Sequence, residues 1–292
     1  MTGPKLSPGL IIAAHGRQYL VEMDDGGTRL CFPRGKKSDL ACGDRVDIQA
    51  TGEGQGVVER IAERSSLLYR SNEFRQKLIA ANVTQIVIVV ATEPSFSDEL
   101  VTRCLVAADS QRIRPLIVLN KCDLAERLPA AREALQTYRR LGYTIVELSA
   151  REGGRALLPH LHGQTSVLVG QSGMGKSTLL NALIPEANAA TREISAALDS
   201  GKHTTTHARL YHLDDDSNLI DSPGLQEFGL HHLDLGTLEA GFPEFQPLLG
   251  RCRFRDCRHD REPDCALRSA VDRGEIEKRR FACYRTLRGE IS

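Results

Sequence analysis

The sequence predicts a multidomain chain: a small β-barrel, then an α/β domain, then a short helical module that can hold a metal. Three observations carry this. Five strand-length segments, residues 10–14, 19–23, 28–32, 45–50 and 57–61, crowd the start of the chain. A central stretch alternates apolar, β-branched runs with helical ones. Three cysteines and a histidine cluster near the end.

Composition sets the outer bounds. The 292 residues carry 38 basic and 38 acidic side chains, so the formal net charge is zero. With 41% hydrophobic and 26% charged residues, this is an ordinary globular composition. It excludes a polycation that coats nucleic acid by bulk charge, and it excludes an acidic disordered tail. The zero is uneven along the chain. Residues 1–78 carry 12 basic and 10 acidic groups, residues 79–239 carry 14 and 19, and residues 240–292 carry 12 and 9. An acidic centre thus lies between two mildly basic ends. No apolar run approaches the roughly 20 residues of a membrane span, and residues 1–9 lack a signal-like apolar stretch. A cytoplasmic protein with reduced cysteines is expected.

The barrel segments are punctuated by turn chemistry at Asp25-Gly26-Gly27, Pro33-Arg34-Gly35 and Gly52-Glu53-Gly54. Five short strands in this length fit an OB-type barrel, and an SH3-like barrel equally. Further on, strands are expected at residues 85–91, 115–119, 144–148 and 166–169, with helices at 99–110 and 130–141 between them. Runs apolar on both faces imply a parallel sheet covered by helices.

The strongest motif follows the last of these strands: Gly170-Gln171-Ser172-Gly173-Met174-Gly175-Lys176-Ser177-Thr178. It fits G-x-x-x-x-G-K-[ST], with a strand before it and a helical segment after it. Such a loop wraps backbone N–H groups around a β-phosphate at a helix N-terminus. Lys176 would supply charge to the β- and γ-phosphates, and Ser177 would ligate Mg²⁺.

Asn120-Lys121-Cys122-Asp123 stands at the C-terminal end of an expected strand, where open α/β sheets bind ligands. Asp123 can accept both the ring N–H and the exocyclic amine of guanine, and adenine offers neither donor there. Asn120 can bond the base and tie this loop to the phosphate loop. The Lys121 stem can lie over the ring. Ser149-Ala150 follows the next strand and can offer backbone N–H to the guanine oxygen. Asp221-Ser222-Pro223-Gly224 follows another apolar segment. There Asp221 would hold Mg²⁺ through water, and the Gly224 N–H would reach the γ-phosphate. Thr204-Thr205-Thr206 lies where a switch threonine should complete the Mg²⁺ shell, with Thr205 favoured. The cofactors implied are GTP or GDP with Mg²⁺.

The order is the unusual part. The base-reading elements at 120–123 and 149–150 precede the phosphate loop at 170, the threonines and Asp221. This is a circular permutation, permissible because domain termini usually lie close together at the surface. The segment after Asp221 then leads directly into the C-terminal module, so a γ-phosphate-dependent switch could move that module as a lever.

Cys252-x4-Cys257-x-His259-x5-Cys265 offers three thiolates and an imidazole, a closed tetrahedral shell for one structural Zn²⁺. Cys31, Cys42, Cys104 and Cys283 have no such spacing and read as small buried hydrophobes.

Together these features resemble the ribosome small-subunit-dependent GTPase A family, over nearly the whole chain. Pro33-Arg34-Gly35-Lys36, Gly201-Lys202-His203 and Glu262-Pro263 add to the likeness. Asp221-Ser222-Pro223-Gly224 has serine where that family usually has threonine. The resemblance implies an OB-fold barrel over residues 1–66 that binds RNA, a permuted GTPase domain over 67–232 and a helical zinc-binding domain over 233–292. It implies GTP hydrolysis stimulated by the small (30S) ribosomal subunit and its rRNA, a role in late maturation of that subunit, and a monomer.

Leu225 stands where Ras-like enzymes place a water-positioning glutamine, so slow intrinsic hydrolysis is expected, with His203 as the candidate to orient water. The basic ends offer Arg34, Lys36, Lys37, Arg251, Arg253, Arg255 and Arg258 to RNA phosphates. Two other readings compete: a GTP-tuned RNA-binding scaffold with incidental turnover, and an ATP-using enzyme, against which Asp123 argues.

Overall fold

The computed structural model describes residues 5–35, 39–72, 75–185, 187, 208–222 and 230–291, and for residues 70–72 and 75–77 it describes the backbone only. The first five strands are β1 (Leu6–His15), β2 (Gln18–Met23), β3 (Thr28–Pro33), β4 (Arg45–Gly52) and β5 (Gln55–Ile61). They pair β1–β2, β2–β3, β3–β5, β5–β4 and β4–β1, which closes a barrel. The β3–β5 pair is parallel and the rest are antiparallel. This pairing makes the barrel OB-like and leaves no open edge. Its interior is filled by alternating positions such as Ile11, Val21, Cys31, Ile48 and Val58, a core of its own.

A hairpin not anticipated from the sequence follows, β6 (Leu67–Asn72) with β7 (Arg75–Ala81). Its charged and polar positions hide the apolar alternation that marks a strand.

The central sheet comprises β8 (Gln85–Ala91), β9 (Arg114–Asn120), β10 (Ile145–Glu147), β11 (Thr165–Val169), β12 (Arg209–His212) and β13 (Asn218–Asp221). Its order is β10-β9-β8-β11-β13-β12. The strand that feeds the phosphate loop, β11, therefore lies between β8 and β13, although it comes late in the chain. The expected parallel pairing holds for β8, β9, β10 and β11, and one further strand departs from it. β12 runs antiparallel to β13 and pairs with β1 through Ala13 and Arg209, so barrel and central domain share one continuous eleven-stranded sheet.

β8 is buried along its whole length. Ile86, Ile88 and Val90 face one core, and Val87, Val89 and Ala91 face the other. The period-two alternation of a strand thus serves two apolar layers at once. Helices α1 (Asp98–Ser110) and α2 (Leu128–Arg140) cover the first face. Helices α3 (Leu158–Leu161) and α4 (Lys176–Leu183) cover the second.

The C-terminal module contains α5 (Leu235–Ala240), α6 (Ala266–Asp272) and α7 (Lys278–Ile291). Its aromatic cluster, Phe242, Phe245 and Tyr284, belongs to the same core as α1, α2 and β8. Arg280 of α7 is only 1% exposed. Its guanidinium donates to Glu244 Oε1 (2.7 Å) and Thr102 Oγ1 (2.7 Å) and lies 4.7 Å from the Phe242 ring centroid. Arg279 donates to Thr137 Oγ1 (2.6 Å), and Arg103 of α1 pairs with Glu290. α7 is thereby fastened to the nucleotide-domain helices.

Polar ties fix the end of the barrel segment and join it to the chain that follows. Asp44 is fully buried, and Arg64 donates to it through Nε and Nη2, both at 2.7 Å. Asn82 Nδ2 donates to Gly43 O (2.9 Å), while Asn82 Oδ1 accepts from Ser65 N–H (2.9 Å). Cys31, Cys42, Cys104 and Cys283 are buried, and burial pushes the Cys31 thiol up to about 11. Among the described residues, no helix is long and apolar enough to cross a membrane.

Candidate functional site

A cleft of about 510 Å³ opens at the C-terminal ends of β9, β10, β11 and β13. Three loops and one strand end build it. Asn120, Lys121 and Asp123 come from the loop after β9, and Ser149 and Ala150 from the loop after β10. Ser172, Gly173, Gly175, Lys176, Ser177 and Thr178 come from the phosphate loop, and Asp221 from the end of β13. Motifs separated by up to a hundred residues therefore meet at one place.

Asn120 is the tie. It is 1% exposed. Its Nδ2 donates to Met174 O (2.8 Å), and its Oδ1 accepts from Lys121 N–H (2.8 Å) and Ala150 N–H (2.9 Å). One amide thus joins all three loops, and one N–H of its NH₂ group is left for a base. The Ala150 N–H, expected to face a guanine oxygen, would have to share itself between that oxygen and Asn120. The loop crowding also dictates glycine at two positions. A Cβ on Gly175 (φ 89°) would lie 2.4 Å from Asn120 Nδ2, and one on Gly170 (φ 147°) would lie 2.3 Å from Val89 O.

Some expected residues sit behind the cleft wall. Met174 is packed in the core beside Leu179, and its carbonyl is what reaches Asn120. Gly170 O and Gln171 O accept from Lys176 Nζ at 2.6 and 2.8 Å. The Gln171 side chain turns away and accepts from Ser97 N–H (2.9 Å), the N-cap residue of α1. Cys122 Sγ donates to Leu119 O (3.2 Å). Arg151, unremarked in the sequence, also lines the cleft. Its position directly after Ser149-Ala150 was the available signal. His203, the threonines 204–206, Gly224 and Leu225 lie outside the described residues.

The electrostatics suit a phosphate and a hard cation. Burial lowers the Lys176 ammonium from its ordinary range, with Asp221 opposing. Burial raises the Asp221 carboxyl, with Lys176 opposing. Each charge is under-compensated in the protein alone, and a bound anion with its cation would restore both. Ser177 and Asp221 provide hard oxygen donors of the kind Mg²⁺ takes. Ser149 Oγ is buried in the cleft wall and has no hydrogen-bond partner among the described residues.

The second centre is Cys252, Cys257, His259 and Cys265, whose ligand atoms all lie within 4.8 Å of one another. Cys252 Sγ is 3.5 Å from His259 Nδ1 and 4.0 Å from Cys265 Sγ, and His259 Nδ1 is 3.3 Å from Cys265 Sγ. Tetrahedral zinc with ordinary bond lengths requires about 3.8 Å between sulfurs and about 3.6 Å from sulfur to nitrogen. The donor set and its spacing fit that ion. Burial and the adjacent thiols push Cys257 up to about 12, a cost that a cation would remove. The loop is shaped by Glu262, whose carboxylate accepts from the N–H groups of Arg258, Asp260 and Arg261 at 2.9, 2.9 and 3.1 Å. Its own N–H and those bonds hold the Glu262 carboxyl down at about 2. They enclose His259, which stands at φ 57°.

Fold and cleft define a phosphate-loop nucleotide-binding protein in which the base-side loops come first in the chain. The comparisons with known proteins narrow this. The family model described as RsgA GTPase matches residues 61–231. The small ribosomal subunit biogenesis GTPase RsgA of Ralstonia pickettii is 58% identical over 287 residues, 96% of this chain and 91% of the relative. The protein of that name from Nitrosospira multiformis is 55% identical over 287 residues, covering 98% and 91%. Among solved structures, YjeQ from Thermotoga maritima aligns at TM-score 0.74 and 31% identity, covering 98% of this chain and 99% of that one. YloQ, described as a circularly permuted GTPase, aligns at TM-score 0.70 and 29% identity, covering 98% and 95%. The chain belongs to the RsgA GTPase family, and its chemistry is GTP hydrolysis.

Proposed function

We propose that this GTPase acts on the small (30S) ribosomal subunit during its late maturation, as a cytoplasmic monomer whose nucleotide state sets its affinity for the subunit. The joining of the three loops by Asn120 carries the nucleotide half of this reading. The names of the relatives, small ribosomal subunit biogenesis GTPase, support the ribosomal half.

In this mechanism Asp123 accepts the two guanine donors and Asn120 gives its remaining N–H to the base. Lys176 leaves the carbonyls of Gly170 and Gln171 and turns to the β- and γ-phosphates. That exchange replaces neutral acceptors by charged ones, which form the stronger hydrogen bonds. Ser177, with Asp221 through water, would hold Mg²⁺, whose chemistry is to neutralise charge on the phosphate oxygens. Thr205 as a further ligand, the Gly224 N–H on the γ-phosphate and His203 as the group that orients water complete the proposal from the sequence. Cys252, Cys257, His259 and Cys265 would hold one structural Zn²⁺.

RNA contact falls to the basic ends. Lys36 and Lys37 lie outside the described residues. Arg34 is exposed and paired with the largely covered Glu59, and Arg253 with the exposed Asp264 (3.1 Å), so RNA phosphates would compete with these carboxylates.

The test is phosphate release from GTP with and without purified small subunits. Large stimulation is expected. Binding of GTP to the complex with no stimulation would instead favour the scaffold reading. Competition of labelled GTP by excess ATP should fail, because adenine leaves Asp123 without donors.

A further inference from the structure

We propose that Glu239 is the positioning residue of the metal centre: its carboxylate receives the His259 Nε2–H and so presents Nδ1 to the metal. This rests on reading the Cys252, Cys257, His259 and Cys265 cluster as a zinc site.

His259 has two ring nitrogens with different neighbours. Nδ1 faces the sulfurs of Cys252 and Cys265 at 3.5 and 3.3 Å. Nε2 faces Glu239 Oε1 at 3.4 Å, inside a wall where His259 and Glu239 side chains are 9% and 21% exposed. A neutral imidazole carries one proton, and the nitrogen that lacks it is the one that can ligate. A carboxylate at Nε2 holds the proton there and frees Nδ1. A carboxylate behind a metal-bound histidine also raises the basicity of the ligating nitrogen.

Glu239 is itself fixed. Its Oε1 accepts from Tyr284 Oη at 2.8 Å, and Tyr284 is fully buried on α7. The neighbouring Leu238 is fully buried in the core shared with α1 and β8. Asp234 caps the start of α5 by accepting from Thr237 N–H (2.7 Å). The carboxylate is therefore delivered by a helix anchored to the nucleotide domain, and the hydroxyl behind it by the last helix. Glu239 comes from outside the Cys252–Cys265 loop, so no spacing rule for metal ligands points to it. The metal loop is thus keyed to α5, the next described element after the Asp221 strand.

The experiment uses the full chain loaded with Zn²⁺ and titrated with a chromophoric chelator, for wild type, Glu239→Ala, Glu239→Gln and Tyr284→Phe. Glu239→Ala should lose zinc affinity by about ten- to a hundredfold. Glu239→Gln keeps a carbonyl acceptor of the same length and should lose less. Tyr284→Phe should lose least, because it loosens the carboxylate without removing it. Nitrogen-15 shifts of the His259 ring give the readout that a merely structural role would not move. The zinc-loaded wild type should show Nε2 protonated and Nδ1 bound. After mild chelation the Nε2–H form should persist in wild type and mix with the other tautomer in Glu239→Ala. If Glu239→Ala folds poorly, the glutamine variant and Tyr284→Phe still decide. A wild type holding one zinc, with unchanged affinity and tautomer in the Glu239 variants, overturns the inference alone. A wild type that holds no zinc overturns the zinc reading and the inference with it.

Discussion

The barrel and the C-terminal module sit at opposite ends of the chain and are held by different means. The barrel closes on itself around Ile11, Val21, Ile48 and Val58, and it meets the central domain through the β1–β12 strand pair and polar ties such as Asn82–Gly43. Among the described residues, the C-terminal module has no separate core. Phe242, Phe245, Tyr284 and Leu287 pack into the layer that covers β8, together with α1 and α2. A segment this short buries too little apolar surface to stand alone, and small units of this kind lean on a metal or on a neighbour. This module uses its neighbour and carries a metal-fitting cluster as well. The lever motion expected from the sequence would therefore move a module whose core is the nucleotide domain's own.

This difference can be broken by mutation. The largest effect is expected from Arg280→Ala, which leaves Glu244 as a buried charge without its partner, at a cost of about 3–5 kcal/mol. Because the core is shared, chemical denaturation should show the nucleotide domain and the C-terminal module losing stability together, with GTP binding lost in the same transition. Retained GTP binding after the C-terminal module has melted would refute a shared core.

Ile48→Ala is the matching change in the barrel, where Ile48 is 1% exposed. About 2–5 kcal/mol should be lost, the usual range for such truncations, and the loss should stay in the barrel. Guanine-nucleotide affinity should survive at temperatures where barrel signals have melted. A single merged transition would mean that the β1–β12 pair couples the two units more tightly than the separate cores imply.

The smallest effect serves as a control remote from both regions. Glu147 of β10 accepts from Arg132 Nη2 (2.7 Å) and Arg139 Nη2 (2.5 Å) of α2, and the Arg132 hydrogen bond holds its carboxyl below the ordinary range. A depressed carboxyl stabilises the folded state above its unfolded value and loses that contribution as pH falls through the lowered folded value. Glu147→Gln should thus cost slightly at neutral pH and nothing in acid, where wild type has lost the same interaction. A difference that persists in acid would show that the pair acts through packing.

Legibility followed sequence separation. The phosphate loop, Asn120-Lys121-Cys122-Asp123 and the cysteine cluster were readable because each packs its chemistry into a short stretch with few alternatives. Glu239 was not, since it meets His259 from another segment. The hairpin β6–β7 was hidden because its apolar positions do not alternate cleanly. The strand pattern alone left the barrel type open, because OB and SH3-like barrels begin from the same short strands, and the family resemblance supplied the OB expectation that the strand pairing bears out.

By itself, then, the sequence pointed to the chemistry: loops of guanine-reading and phosphate-binding pattern in permuted order, and a thiol–imidazole set of zinc-like spacing. Local spacing and side-chain type suffice for that. Only the tertiary structure decided that β3 joins β5 and β4 returns to β1. It alone showed that β12 bridges barrel and central sheet, and that Arg280 and Tyr284 close a core begun at β8. Those outcomes depend on non-local pairing and shared burial, and no local pattern encodes which distant apolar face another will cover.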